Sequence, residues 1–184
     1  MPEHATQEKP VADPRYPVGK YQKKGPPNSE ERKRMIASLA ETPAKLRAAV
    51  AGLNDKQLDT PYRPGGWTVR QVVHHMADSH MNMYIRFRFG VTEPDPPVKP
   101  YDEATWAKLF DARTAPAEVS LAIVDGLHQR LVMLMHEMRE IDFMRSIVHP
   151  EHGKMSLDDV LSLYEWHGRH HVAHITTLRQ QMGW

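Results

Sequence analysis

The chain closes with an uninterrupted helical repeat, Ser156 to Met182, whose apolar face includes histidines. Leu157, Val160, Tyr164, Ile175, Leu178 and Met182 recur at helical spacing and fall in one stripe roughly 100° wide. His167 and His171 lie inside that stripe or at its edge, His170 lies well to one side, and His174 sits at the margin. Such a helix must bury its stripe against other helices, and something polar has to meet the imidazoles there. His167 and His171 stand at i, i+4, with Cβ atoms about 6 Å apart on one face, a spacing that lets two imidazoles share a metal ion. A pair of core histidines bonded to carbonyls, hydroxyls or a carboxylate satisfies the same constraint, so the spacing alone leaves both readings open.

Helical periodicity also governs the rest of the chain. Asn28 or Ser29 can cap a helix that opens Glu30-Glu31, with acids where the dipole favours them and apolar positions at Met35, Ile36, Leu39, Leu46, Val50 and Leu53. Pro43 predicts a kink or a break in it. After the turn Pro61–Gly66, Thr68-Val69-Arg70-Gln71 is a capping-box pattern that opens a second helix running to about Phe89. Pro94 to Pro100 reads as an irregular crossover, followed by a short helix around Asp102–Phe110. A third long helix is expected from about Pro116 to Arg139, with Leu121, Val124, Leu127, Leu131 and Met138 on its apolar side. Ile147 to Met155 reads as a loop or short hairpin. Ser156-Leu157-Asp158-Asp159 then caps the fourth long helix. The fold class is therefore all-α: a four-helix bundle whose long crossover between the second and third helices breaks simple up-and-down order.

Residues 1–27 hold Pro2, Pro10, Pro14, Pro17, Pro26 and Pro27 and few apolar side chains, so they read as an extended arm preceding a single bundle domain at 28–184. The arm can dock through Tyr16, Pro17, Val18 and Tyr21, drape over a partner subunit, or remain an unstructured tail.

The 184 residues carry 24 Lys plus Arg against 23 Asp plus Glu, a net charge of +1 that gives no footprint for nucleic acid. No apolar run approaches the ~20 residues that span a bilayer, and no signal-peptide core is present, so a cytoplasmic protein with no membrane partner is expected. With no cysteine, thiolate catalysis and zinc–thiolate sites are excluded, and a metal has to be held by histidine and carboxylate.

For a third ligand the second helix offers His74, His75 and His80. Its stripe, Val69, Val72, Val73, Met76, Met83 and Phe87, contains His80, leaves His75 roughly 60° outside and puts His74 almost opposite. Periodicity rejects His74 and leans to His80. The string from Gly65 through Trp67, His74-His75 and Asp78 to His80 resembles the second-helix motif of the DinB-like superfamily, closest to its YfiT branch of metal-dependent hydrolases. Tyr16-Pro17-Val18-Gly19, Leu58 to Arg63, Arg86-Phe87, Pro100 to Glu103, His149-Pro150 and Met182-Gly183-Trp184 extend the resemblance over nearly the whole chain.

The resemblance implies a divalent metal, zinc first and nickel second, one per subunit, held by His75, His167 and His171. The open coordination position would take water or hydroxide for hydrolysis of a small-molecule substrate. The same position suits a thiolate, and the superfamily is similar in fold to bacillithiol and other thiol S-transferases. Transfer of a low-molecular-weight thiol to an electrophile is therefore the first alternative, and a non-catalytic, metal-stabilised homodimer is the second. The catalytic group is left unknown. Asp78, His80, Glu103, Arg86 and His174 are candidates as supporting or general-base groups, though each reads more readily as a surface charge or packing residue. His149 and His152 read as solvent-facing loop residues.

Overall fold

The computed structural model describes residues 13–184; the first twelve residues of the expected arm lie outside that range. Helix α1 spans Ser29–Val50, α2 Asp55–Leu58, α3 Val69–Thr92, α4 Glu103–Trp106, α5 Phe110–Thr114, α6 Ala117–Glu137 and α7 Glu140–Phe143. Strands β1, Ser146–His149, and β2, Gly153–Ser156, form an antiparallel hairpin before α8, Leu157–Met182. The capping signals act where the sequence places them. Asn28, Thr68 and Ser156 each accept from the backbone N–H three residues on, and Glu31, Gln71 and Asp159 return the bond. No helix among the described residues is long and apolar enough to cross a membrane.

The long helices α1, α3, α6 and α8 make the bundle, with α6 and α8 each packed against both α1 and α3. Two apolar clusters fill it. One gathers Leu39, Met83, Phe87, Leu131, Leu157, Leu161 and Tyr164. The other gathers Leu46, Val69, Val72, Met76, Leu121, Val124 and Ile175. Cluster membership fixes the helix directions. The N-terminal halves of α3 and α6 lie in the second cluster, those of α1 and α8 in the first, so α3 and α6 run parallel and opposite to the other two. After α3 the chain must travel back along the bundle to start α6, which is why the crossover is long. Residues 93–116 make that return through α4 and α5, pinned to the hairpin by Val98 N–H donating to Val148 O and Val148 N–H donating to Pro96 O.

Between the clusters lies a polar layer: Thr42 from α1, His80 from α3, His128 from α6, and His167 and His171 from α8. Beside it α8 comes close to α1 at Gly168, where a Cβ would stand 2.9 Å from Thr42 Oγ1. Pro43 does not break the chain into two helices, because α1 continues through it. Its missing N–H leaves the Leu39 carbonyl without its usual partner four residues on, and His128 Nδ1 takes that place at 2.8 Å.

Outside this layer, and among the described residues, the bundle buries one ion pair on both sides, Arg32 Nε to Asp158 Oδ1 at 2.7 Å, with both side chains about one-tenth exposed or less. Replacing Arg32 with leucine strands a carboxylate there, and is expected to cost about 3–5 kcal/mol in urea unfolding. A loss below ~1 kcal/mol would show that Asp158 is solvated without its partner.

Candidate metal centre

Helix α3 is buried on several faces, since α5, α6 and α8 all pack on it. Its three histidines therefore point into three environments rather than into core or solvent. His74, expected opposite the core, is buried, with Nδ1 2.7 Å from Ser120 Oγ and Nε2 3.1 Å from Ala115 O. It is a satisfied structural histidine, and the single-stripe picture failed because α5 covers a second face. His80, the one periodicity favoured, is fully buried and lies behind α8, with Nε2 3.2 Å from His167 Nδ1. His75 reaches the other edge of the same ring, its Nε2 3.1 Å from His167 Nε2.

His75, His167 and His171 each bring one nitrogen to within 4.8 Å of the others. A tetrahedral zinc ion with Zn–N bonds of ~2.0–2.1 Å sets its ligands roughly 3.3 Å apart, so this donor set could hold one ion after a small contraction. Burial pushes the His75 imidazole down to about 3, with the nearby His170 and His174 adding to the effect. Burial first, then neighbouring imidazoles, also holds His167 and His171 well below the ordinary histidine range. All three are neutral bases facing one point, the state a metal requires. Trp67 covers them on one side, its ring 4.7 Å from that of His75 and 6.4 Å from that of His171.

The triad lines a cavity of about 540 Å³. Arg86, Tyr101, Glu103 and Tyr164 line it as well. Arg86 Nη1 donates to Tyr164 OH at 2.9 Å, while its buried Nε and the buried Tyr101 hydroxyl find no partner among the described residues. Glu103 is exposed at the rim. Asp78 does not line the cavity; it is partly buried, and its carboxyl is pushed up to about 6 by burial, with the charge of Asp111 adding.

His170, expected well to one side of the core stripe, and His174, expected at its margin, are both buried, at 7% and 3% exposure. The arm explains the difference. Tyr16 packs near His170, Arg15 O lies 3.3 Å from His174 Nε2, and Trp166 Nε1–H donates to Gly19 O at 3.1 Å. From residue 13 onward the arm thus lies on α8 of its own chain, with Tyr21 against Trp166. His149, expected in solvent, is buried in the cavity wall through the hairpin, its ring stacked 4.7 Å from that of His152. Two other groups, His170–His171–His174 and His149–Glu151–His152, also bring ligand atoms within 4.8 Å, but the first shares His171 with the triad and the second is largely exposed. The sequence reading missed His128, although its place four residues after Val124 and three before Leu131 puts it on the apolar stripe of α6. Tyr101 carried no periodic signal at all.

Residues 38–175 match the DinB superfamily. The chain belongs to that superfamily. It is 48% identical over 170 residues to the Bacillus subtilis protein named "Putative metal-dependent hydrolase YfiT", covering 92% of this chain and 96% of that one. It is 51% identical over 172 residues to a Geobacillus thermodenitrificans protein named "Putative metal-dependent hydrolase", again with 92% and 96% covered. A solved structure of Bacillus subtilis YfiT, described as a "probable metal-dependent hydrolase with an unusual four-helix bundle topology", superposes with a TM-score of 0.90 at 48% identity. That match covers 93% of this chain and 98% of the other. The four-helix bundle is thus shared with this DinB relative.

The depressed histidines make the metal-free protein acid-sensitive. His74, His75, His80, His128, His167, His170, His171 and His174 are all lowered, chiefly by burial. Unfolded, they take up protons below about 6.5. A depressed folded pKa means the unfolded state binds more protons, so stability is complete above pH 6.5 and drains as pH falls. Urea melts of metal-free protein should lose about 1.4 kcal/mol per pH unit for each ring that stays neutral between pH 6.5 and 5. A flat profile across that window would contradict the burial described.

Proposed function

We propose that this protein is a metal-dependent hydrolase of small molecules, with His75, His167 and His171 holding one divalent ion, zinc before nickel. The observation that carries the reading is the convergence of three neutral, desolvated imidazoles on the wall of a cavity large enough for a small substrate. The names of the Bacillus and Geobacillus relatives support the metal dependence and the class of reaction. An ion so held supplies Lewis acidity and makes water a stronger acid.

The remaining work falls to the cavity wall. Arg86 keeps donor capacity, because it forms no ion pair among the described residues and its Nε is unpartnered. With the Tyr101 hydroxyl it offers a fixed place for an oxygen of the substrate, where negative charge grows as the scissile carbonyl or phosphoryl group is attacked. Tyr164, itself held in the core, keeps the guanidinium from swinging away. Of the four carboxylate and histidine candidates, His80 and His174 back the triad and Asp78 stands outside the cavity. Glu103, at the rim, is the group placed to accept a proton.

A panel of esters, amides and phosphoesters, offered with and without zinc and with and without low-molecular-weight thiols, tests the assignment. Zinc-dependent turnover without thiol, abolished in His75→Ala, is expected. Glu103→Gln should lower kcat by about 10²–10⁴ with a smaller change in KM, as loss of a general base does. Turnover that appears only with thiol would replace hydrolysis with S-transfer. Zinc-independent turnover that survives His75→Ala would remove the metal from the reaction.

A further inference from the structure

The geometry points to two imidazole relays that set the tautomers of His167 and His171, making His80, His128 and His174 positioning residues for the metal site. The inference rests on the reading that His75, His167 and His171 hold a divalent ion.

The first relay starts at a backbone carbonyl. Leu39 O can only accept, so His128 Nδ1, 2.8 Å away, must donate. A neutral imidazole has one N–H, so His128 Nε2 is an acceptor, and His80 Nδ1 at 2.8 Å donates to it. His80 Nε2 is then an acceptor in turn, and His167 Nδ1 at 3.2 Å donates to it. Three rings supply three protons to three gaps. His167 Nε2 is left with its lone pair, and this is the nitrogen that faces His75. The origin of the relay is written in the chain: Pro43, lacking an N–H, frees the Leu39 carbonyl that His128 occupies.

The second relay is built the same way. Arg15 O accepts from His174 Nε2–H at 3.3 Å, so His174 Nδ1 accepts from His171 Nδ1–H, also at 3.3 Å. His171 Nε2 keeps its lone pair. His167 and His171 are thereby held with Nδ1 protonated and Nε2 free, by chains that end on backbone carbonyls rather than on carboxylates. A ring that bonds through one nitrogen in this way has its other nitrogen committed to the metal before the metal arrives. The inner part of the first relay runs through dry protein, with His80 fully buried and His128 1% exposed, so water does not compete for the bonds between His80, His128 and Leu39 O. The arm is part of the device, because Arg15 lies in it.

Two measurements decide the matter. Long-range ¹H–¹⁵N spectra of metal-free, ¹⁵N-histidine-labelled protein should show His128, His80, His167 and His171 as Nδ1–H and His174 as Nε2–H. An Nε2–H form at His80 or His128 overturns the first relay, and an Nδ1–H form at His174 overturns the second. Zinc affinity is then measured by chelator competition. His128→Leu and His174→Phe should each weaken binding about 10–100-fold. His128→Gln, whose amide can donate to Leu39 O from one end and accept from His80 at the other, should bind close to wild type. If the glutamine and leucine variants are equally weak, His128 acts by packing alone and the proposal falls. If His128→Leu does not fold, the spectra of the wild type still decide. A wild type that binds no zinc removes the three-histidine reading instead, while the tautomers of the metal-free protein continue to test the relays on their own.

Discussion

A buried imidazole needs a partner for each of its nitrogens, one that accepts and one that donates, and the middle of this bundle is organised by that requirement. Two apolar clusters leave a layer between them in which His80, His128, His167 and His171 meet. Water is excluded from His80 and His128, so these rings satisfy one another, His167 and, at the end, a backbone carbonyl. Helix caps, apolar stripes and the return crossover bring the four long helices together. The imidazole layer then specifies how they must register, since a shift of one residue would take a ring away from the nitrogen or carbonyl it bonds.

Much of this was legible in the chain. Capping boxes at Thr68 and Ser156, a cap at Asn28 or Ser29 and apolar stripes at helical spacing located the helices, because those signals are local and each has its own physical cause. The inward face of His167 and His171 was legible for the same reason. The third histidine was not. Periodicity along α3 measures depth in one direction, and it ranked His80 first because His80 is indeed the deepest. Convergence on a point across the bundle is a property of two helices together, and there His75 meets the free edge of His167 while His80 meets its back. The resemblance to DinB proteins supplied His75 where periodicity could not.

Most of the remaining differences share one origin, which is cover supplied from far along the chain. His74 is buried by α5 and Ser120, and His170 and His174 by the arm, while His149 is set into the cavity wall by its own hairpin. A helical wheel carries no record of what a distant segment lays over it. The arm itself had several open readings, and the one realised from residue 13 onward is docking on α8 of the same chain through Tyr16 and Tyr21. Function follows from the same arrangement. His80 and His128 lie behind His167, while Arg86, Tyr101, Glu103 and His174 line the cavity on which His75, His167 and His171 open.

The central claim is that three imidazoles from two helices share one divalent ion. Anomalous diffraction from crystals of the zinc-loaded protein, collected on both sides of the zinc edge, tests it most directly. The account predicts a single peak per chain with His75, His167 and His171 nitrogens at about 2.0–2.1 Å. A peak within His170–His171–His174 or His149–Glu151–His152 instead, or an ion contacted by fewer than three of the named histidines, would contradict it.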